Sequence, residues 1–333
     1  MRSLAGLPSP ALPSHTIEAV NAQSPLTSRL QGFGASIFAE MTALAVSTGS
    51  INLGQGFPDY DGPAEVLQIA REQISAGNNQ YPPGIGMADL RLAVSGHQDR
   101  FWGLIYDPAT EILITMGATE ALAGALLGIL NDGDEVIVFE PLFDTYAGCI
   151  ALAGAVSVPI TLRPQQSGRY EFDADELRRS ITPRTRMILL NSPHNPTGSV
   201  FTLQELQTIA AIAIEHDLLV VSDEVYEHLV FDDKTHIPIA TLPGMFERTI
   251  TISSGGKSFN TTGWKIGWAC APDTMTAAIR AAHQFLVFSV PEPLQHAAHH
   301  ALSRLDEAWE QDLHATYRHR RSLLFDGLRS AGL

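Results

Sequence analysis

Between residues 112 and 270, short apolar runs alternate with longer amphipathic segments. The runs are rich in β-branched side chains, which is typical of strands that are buried on both faces. Strands separated by helices predict an α/β fold with a mostly parallel sheet covered by helices on both faces. Ligands of such sheets bind at the carboxyl ends of the strands. The predicted strands are Ile112–Thr115, Glu135–Phe139, Val156–Thr161, Arg186–Leu190, Leu218–Ser222, Thr249–Ile252 and Ile266–Cys270, and the helices are Thr119–Leu130, Asp144–Ala153, Asp173–Ile181 and Leu203–His216.

The segments on either side of this alternation are less regular. Residues 1–30 contain scattered prolines and serines and predict an extended N-terminal arm. Residues 294–328 form one long helical pattern that is rich in histidine and arginine. Between the arm and the first strand we expect helices at Ala35–Val46, Ala64–Ala76 and Ala88–Trp102, and a short strand ending in a glycine turn at Ile51–Pro58.

The overall charge narrows the classes of partner. The 333 residues carry a formal net charge of −15, which argues against nucleic acid or an anionic membrane as a partner. Cys149 and Cys270 lie in apolar contexts and predict buried free thiols. The sequence shows neither a cleavable leader nor a run of membrane-spanning length, so we expect a cytosolic protein.

One lysine stands in an unusual place. The strand at Thr249–Ile252 runs into small residues and then Lys257, with the aromatic residues Phe259 and Trp264 close behind. Burial lowers the pKa of a lysine and frees its amine to attack a carbonyl. Ser254 and Lys265 add a hydroxyl and a second cation, which suits a phosphate-bearing aldehyde such as pyridoxal phosphate. The alternative is that Lys257 merely extends to the surface from a Gly/Ser loop.

Polar side chains follow two further strands. Asn195 lies in the proline-rich loop Asn191–Gly198, where it projects an amide at a strand end or serves as an ordinary turn residue. Asp223 ends an apolar strand, and its buried carboxylate would need a cation such as a pyridinium nitrogen; alternatively, it caps the next segment. Tyr226 could donate to a ring oxygen, or it could be a core tyrosine.

Two more strand ends carry weaker signals. Met116–Leu122 opens a helix with small residues, whose exposed backbone N–H groups form a ready anion site. Glu140–Tyr146 offers Phe143 as a flat ring, although a core phenylalanine is the simpler interpretation of that residue.

Together these segments resemble the class I/II aminotransferases of the fold-type I pyridoxal phosphate superfamily, in the branch of the kynurenine, methionine and N-succinyldiaminopimelate aminotransferases. Within this branch, the sequence is most similar to the bacterial succinyldiaminopimelate enzymes of lysine synthesis. The likeness runs from about Phe33 to the end of the chain. The matching pieces are Asn52-Leu-Gly-Gln-Gly-Phe-Pro58, Gln80-Tyr-Pro-Pro-Gly84, Gly117-Ala-Thr119, Glu140-Pro-Leu-Phe143, Ser192-Pro-His-Asn-Pro-Thr-Gly198, Asp223-Glu-Val-Tyr226, Ser254-Gly-Gly-Lys257 and Gly263-Trp-Lys-Ile-Gly-Trp268.

The resemblance implies a role for each matching residue. Lys257 would hold the cofactor as a Schiff base and move a proton at the substrate Cα. Asp223 would pair with the pyridine nitrogen, and Asn195 and Tyr226 would hold the ring oxygen. Phe143 would stack on the ring. The phosphate would be held by the Ala118 and Thr119 amides, Ser254 and Lys265, with Tyr81 reaching in from a second subunit of a homodimer. Phe38, Gly56 and Asn195 would line the substrate pocket.

The resemblance also implies a division of the chain. Residues 31–58 would begin a small α+β domain, 59–293 would form the large cofactor-binding domain, and 294–333 would be a long helix leading back into the small domain. Family members continue with a segment that completes this domain and carries the arginine that grips the substrate α-carboxylate. No residue here corresponds to that arginine. We therefore expect either a truncated product, with exposed apolar surface on the last helix and weakened transamination, or a substitute residue.

Three functions follow from this interpretation. The first is an aminotransferase that moves an amino group between an L-amino acid and a 2-oxo acid. The second is a lyase that eliminates from cysteine S-conjugates at the same site. The third is a truncated protein that binds pyridoxal phosphate with little turnover.

Overall fold

The computed structural model describes residues 26–34, 37–52, 54, 58–232, 234–304 and 307–332, apart from the side chains of Phe38, Glu307 and Ala308. The strands are β1 (Ile112–Met116), β2 (Glu135–Glu140), β3 (Val156–Thr161), β4 (Arg163–Pro164), β5 (Tyr170–Glu171), β6 (Thr185–Asn191), β7 (Leu219–Asp223), β8 (Thr249–Ser254) and β9 (Ile266–Cys270). The helices are α1 (Ile37–Thr48), α2 (Ala64–Ser75), α3 (Ala88–Trp102), α4 (Gly117–Ile129), α5 (Asp144–Leu152), α6 (Ala174–Arg179), α7 (Leu203–Glu215), α8 (Gly255–Ser258), α9 (Asp273–Leu286), α10 (Glu292–Arg304) and α11 (Glu307–Ser330).

Seven strands form one mixed sheet in the order β1-β9-β8-β7-β6-β2-β3. Five strands that are neighbours in the sheet run parallel, namely β3, β2, β6, β7 and β8. In contrast, β9 is antiparallel to both of its neighbours, β1 and β8. The carboxyl ends of β1, β2, β6, β7 and β8 therefore meet at one edge of the sheet. The amino end of β9 lies at that same edge, which brings the residues before Ile266 to it as well.

Both faces of the sheet are buried, which explains the continuous apolar runs in the sequence. In β2, Val136 and Val138 join the core beneath α4, α5 and α9, whereas Ile137 and Phe139 join the core beneath α6 and α7. At the β1 and β9 side, Trp268 is fully buried against residues of α3 and α10. The predicted mostly parallel α/β sheet is confirmed.

Most predicted elements are confirmed to within two residues, but the strand expected at Ile51–Pro58 is wrong where the structure describes it. Ile51 is exposed and Asn52 belongs to no strand. The Asn52 side chain instead accepts from the Gly54 amide at 2.9 Å and donates to Thr42 on α1 at 3.2 Å. These local bonds satisfy the segment without a sheet partner.

The helical pattern at the end of the chain corresponds to α10 and α11, with residues 305 and 306 outside the described part. Exposed ion pairs join α11 to earlier parts of the chain: Arg320 contacts Asp59 at 2.6 Å and Arg321 contacts Asp232 at 2.7 Å. Trp309 donates to the Ser258 carbonyl at 3.2 Å. The expected exposed apolar surface on this helix is present at Leu323, Leu324, Phe325 and Leu328. None of the described helices has the length and apolar character needed to cross a membrane.

The close packing of α4 on α9 gives a stability prediction. A Cβ added at Gly128 on α4 would collide with the backbone carbonyl of Ala278 on α9, so we expect Gly128→Ala to lower the free energy of unfolding by about 1–3 kcal/mol. Gly96 on α3 is exposed with nothing near its added Cβ, so Gly96→Ala should raise that free energy by about 0.5–1 kcal/mol. Urea unfolding of both variants measures their free energies of unfolding. An equal change in the two variants would contradict the close contact between α4 and α9 at Gly128.

Candidate active site

A cavity of about 570 Å³ opens at the edge of the sheet where the strands end. That volume lies within the usual range for small-molecule sites. Nine of the ten residues predicted to hold the cofactor line it, and the exception is Tyr81. The nine are Ala118, Thr119, Phe143, Asn195, Asp223, Tyr226, Ser254, Lys257 and Lys265.

Lys257 projects into this cavity from the single helical turn α8. The turn begins at Gly255, directly after β8 ends at Ser254, and the Thr261 hydroxyl donates to the Gly255 carbonyl at 3.2 Å. Burial lowers the pKa of Lys257, and the neighbouring Lys265 cation lowers it further, while Asp223 opposes the shift. Its Nζ lies 5.4 Å from the ring centroid of Tyr226. Lys257 is therefore a partly buried amine whose neutral, nucleophilic form is favoured.

Asp223 is the buried carboxylate of the site. Burial raises its pKa, and two hydrogen bonds oppose that shift. Tyr146 donates its hydroxyl to Oδ2 at 2.6 Å, and the Val225 amide donates to Oδ1 at 3.3 Å. Both donors are neutral, so an ionised Asp223 still lacks a directly bonded cation among the described residues. A cationic nitrogen in the cavity would supply one.

Tyr146 is the functional candidate that the sequence interpretation missed. It lies on α5, three residues after Phe143, and the two rings meet edge to face with their centroids 5.6 Å apart. Its side chain is buried, and burial and the Asp223 charge hold the pKa of Tyr146 well above its usual range. The sequence does contain a signal for Tyr146, because it lies three positions after Phe143 and positions three apart share a helix face. The same motif that supplied Phe143 thus also supplied the partner of Asp223.

The proline-rich loop after β6 is tied to the same carboxylate residue through the backbone. Asn191 donates its side-chain amide to the Asp223 carbonyl at 2.9 Å and accepts from the Asn195 amide at 2.7 Å. The Ser192 amide also donates to the Asp223 carbonyl, at 3.2 Å. These bonds fix the loop so that Asn195 lines the cavity beside Asp223.

The part of the cavity lined by Lys265 and the start of α4 is positively charged and closely packed. Lys265 donates to Thr119 at 3.3 Å and adopts the left-handed conformation with φ +56°, just before β9. Gly117, at φ +70°, begins α4, and a Cβ at Gly267 would collide with the Gly117 backbone. Only glycine fits this approach. The first amides of α4 and the Lys265 ammonium therefore form an anion site.

Three predicted site residues lie elsewhere or outside the described part. Tyr81 is exposed and contacts Phe288 edge to face with ring centroids 5.2 Å apart, away from the cavity of its own chain. The side chain of Phe38 and the whole of Gly56 lie outside the described residues. Ile37 and Gly54, their near neighbours in sequence, do line the cavity.

The arrangement fits pyridoxal phosphate. One cavity is lined by an anion site, a buried carboxylate and an amine of lowered pKa on which the charges of Asp223 and Lys265 both act, and the Phe143 ring lines its wall. The phosphate, the aldehyde and the pyridine nitrogen of the cofactor need these three groups. The described residues that line the cavity include no arginine.

Comparison with known proteins decides the family. The profile of the family described as aminotransferase class I and II matches residues 48–333. The chain belongs to this family. It is a pyridoxal phosphate-dependent transferase with the fold-type I architecture, as the resemblance in the sequence implied.

Individual relatives place the chain more closely. A probable N-succinyldiaminopimelate aminotransferase of Mycobacterium tuberculosis is 51% identical over 305 residues, covering 92% of this chain and 76% of that protein. A methionine aminotransferase of Escherichia coli is 38% identical, covering 92% and 78%. The solved M. tuberculosis N-succinyldiaminopimelate aminotransferase superposes with a TM-score of 0.90, covering 92% of this chain and 79% of that one. An aspartate aminotransferase from Thermus thermophilus gives 0.85 at 33% identity, covering 93% and 82%.

The Tyr146–Asp223 bond gives a prediction with a pH signature. Because the pKa of Asp223 is raised above 3.8, the carboxyl is protonated in acid and becomes a buried anion as the pH rises through that raised pKa. In the cofactor-free chain, Tyr146→Phe should therefore lower the free energy of unfolding by about 1 kcal/mol in acid, where Asp223 is protonated, and by about 1.5–3 kcal/mol once the pH has risen through that raised pKa.

Urea unfolding of the cofactor-free variants as a function of pH, from acid upward, measures the effect. Asp223→Asn is the control, because Tyr146→Phe in that background should cost the same at every pH. A cost that does not rise with pH in the native background would contradict a hydrogen bond to an ionised Asp223.

Proposed function

We propose that Lys257 is the catalytic lysine of this aminotransferase and that Asp223 and Tyr226 assist it. The observation that carries the proposal is the convergence of Lys257, Asp223 and Lys265 on one cavity, where their charges act on each other. When bound, pyridoxal phosphate supplies an electron sink that stabilises negative charge at the substrate α-carbon. The remaining roles fall to residues of this chain.

Lys257 has the properties of the group that moves the proton at the substrate α-carbon. Its amine lies in the cavity, its pKa is lowered by burial, and the short turn α8 limits its reach. Tyr226 stays protonated because burial, with the Asp223 charge, raises its pKa to about 12, so its hydroxyl can donate to a ring oxygen. Asn195 presents its amide to the same cavity. Asp223 holds a cationic nitrogen, and the Ala118 and Thr119 amides, Ser254 and Lys265 hold the phosphate, while Phe143 packs on the ring.

The substrate we propose is N-succinyldiaminopimelate, with 2-oxoglutarate as the amino acceptor. The 51% identity to the relative of that name supports this choice over kynurenine and methionine, whose relatives are 38–40% identical. We further propose that the enzyme works in a cytosol, with which the free thiols of Cys149 and Cys270 are compatible.

The role of Lys257 is tested by covalent capture of added pyridoxal phosphate. Borohydride reduction and peptide mapping should place the cofactor on Lys257, and Lys257→Ala should abolish both the capture and the turnover. Lys265→Ala is the matched control: it removes a cation from the same cavity, so it should weaken cofactor binding yet leave the capture on Lys257. Turnover of Lys257→Ala at the native rate would refute the assignment.

The substrate choice is tested with a panel of amino donors. N-succinyldiaminopimelate should give a higher kcat/KM with 2-oxoglutarate than methionine or kynurenine does. Release of pyruvate and ammonia from a cysteine S-conjugate, assayed in parallel, measures elimination. Elimination without any amino transfer to 2-oxoglutarate would favour a lyase, and binding without turnover would favour a cofactor-binding protein.

We also propose that the active unit is a homodimer in which Tyr81 completes the phosphate site of the partner. Tyr81 is 81% exposed, Phe288, which it contacts edge to face, is also exposed, and so is Phe285 three positions earlier in the chain. An apolar patch of this kind is typical of an interface. Its aromatic character fits the centre of such an interface better than its rim.

A subunit-mixing experiment tests this arrangement. Lys257→Ala and Tyr81→Ala chains are each defective, but a mixed dimer regains one intact site if Tyr81 acts across the interface. Statistical mixing should then restore about a quarter of the native activity per chain. If Tyr81 serves its own chain, mixing restores nothing beyond the activity of the Tyr81→Ala chain.

A further inference from the structure

A second cluster of polar side chains lies outside the active-site cavity, immediately beyond Tyr226. It consists of His97 on α3 and of Glu227 and His228 in the turn after β7, and we call it the His97 cluster. One ligand atom from each of the three lies within 4.8 Å of the others. His97 and Glu227 are buried and His228 is nearly so. None of the roles proposed above uses these residues.

Outer partners hold two of the three members, His228 and Glu227, in place. Glu310 on α11 contacts His228 Nδ1 at 2.8 Å. Glu227 accepts from Trp102 Nε1 at 2.7 Å through Oε2 and from Ser253 Oγ at 2.5 Å through Oε1. Carboxylate–histidine pairs and hydrogen-bonded carboxylates of this kind are what orients the ligands of metal sites.

The hydrogen bonds define which nitrogen lone pairs face each other. Because Glu310 accepts from the N–H at Nδ1 of His228, the neutral imidazole has a bare Nε2. That atom lies 2.8 Å from Nε2 of His97, so a hydrogen atom or a cation must lie between them. If His97 provides the hydrogen, its Nδ1 becomes a bare acceptor, and this buried atom has no partner among the described residues. The hydrogen-bonded arrangement is therefore incompletely satisfied.

The charges favour a cation at this place. With neutral imidazoles, Glu227 and Glu310 bring two negative charges into a mostly buried region, and burial of unpaired charge is costly. Arg100 lies beside the cluster and offsets part of that charge. A small cavity of about 50 Å³ adjoins His97, His228 and Glu310, which is room for an ion with a water ligand.

We propose that His97, Glu227 and His228 bind a divalent transition-metal ion, for which Zn²⁺ is the best match. Two imidazoles and one carboxylate with an open fourth position form a common zinc ligand set. With Zn–N distances of about 2.0–2.1 Å in a tetrahedral site, the two Nε2 atoms must separate to about 3.3 Å, so the rings move apart by about 0.5 Å. The ion links α3, the turn that carries Tyr226 and, through Glu310, α11.

The test is equilibrium dialysis of the full chain, loaded with pyridoxal phosphate and stripped with a chelator, against Zn²⁺ alone. One ion should bind tightly per chain. His97→Gln and His228→Gln should each remove that site, and Glu310→Gln should weaken it about 10- to 100-fold, as loss of an outer carboxylate does. His236→Gln is the matched control, because His236 forms a second buried pair, with Glu224 at 3.0 Å, outside the cluster. It should leave zinc binding unchanged.

Two outcomes overturn the proposal. If Zn²⁺ binds equally well to the native chain and to both histidine variants, the ion occupies other histidines of the chain. If the native chain retains no tightly bound Zn²⁺, a shared hydrogen atom joins the two rings. A Co²⁺-loaded chain keeps the test decisive if the variants unfold, since its visible bands report a four-coordinate site only when the cluster holds the ion. Neither readout depends on aminotransferase activity, so failure here leaves the proposed function untouched.

Discussion

The buried carboxylate of Asp223 is the constraint around which the active site is built. It ends β7 in the middle of the sheet, where burial alone would force it to take up a proton. Tyr146 and the Val225 amide supply hydrogen bonds, and the backbone of Asp223 anchors the loop that carries Asn195. What these neutral partners do not supply is charge. A cationic nitrogen of the bound cofactor would supply that charge, as we propose above, and the same requirement would then connect the fold to the chemistry.

The antiparallel strand β9 explains how the anion site at Lys265 is formed. Lys265 precedes a strand, and in a purely parallel sheet it would lie at the edge away from the ligand. Because β9 runs antiparallel to β1 and β8, Lys265 reaches the same edge as Lys257. The contact between Gly267 and Gly117 then holds the start of α4 against it. The anion site formed by Lys265 and the first amides of α4 thus depends on strand direction and on two glycines.

Much of this could be predicted from the sequence, for a physical reason. Strands buried on both faces are continuous apolar runs, so their ends are easy to place, and polar residues at those ends, such as Asp223 and Asn195, stand out. The direction of β9 could not be predicted, because antiparallel and parallel strands have the same continuous apolar sequence pattern when both faces are buried. Tyr146 was hidden because its role depends on a contact 77 positions away, and the strand predicted at Ile51 failed because local side-chain bonds replaced the ladder.

The His97 cluster shows the same limit of sequence reasoning. Its members come from α3 and from the turn after β7, and Glu310 joins them from α11. No local sequence motif therefore predicts the cluster. His97 and His228 are 131 positions apart in the sequence, and only the folded structure shows that they lie within hydrogen-bond distance of each other. Glu227 and His228 directly follow Tyr226 in the chain, so the contact between His228 and Glu310 links the C-terminal helix to the segment that lines the active-site cavity.

The most direct test of the central claim is the protonation state of the cofactor nitrogen in the assembled site. Pyridoxal phosphate labelled with ¹⁵N at the ring would be bound to the native chain and to Asp223→Asn, and the ¹⁵N chemical shift followed with pH. The account predicts a nitrogen that remains protonated to high pH in the native chain and loses its proton far earlier in the variant. The same unprotonated shift at neutral pH in both chains would contradict the claim that Asp223 organises the site.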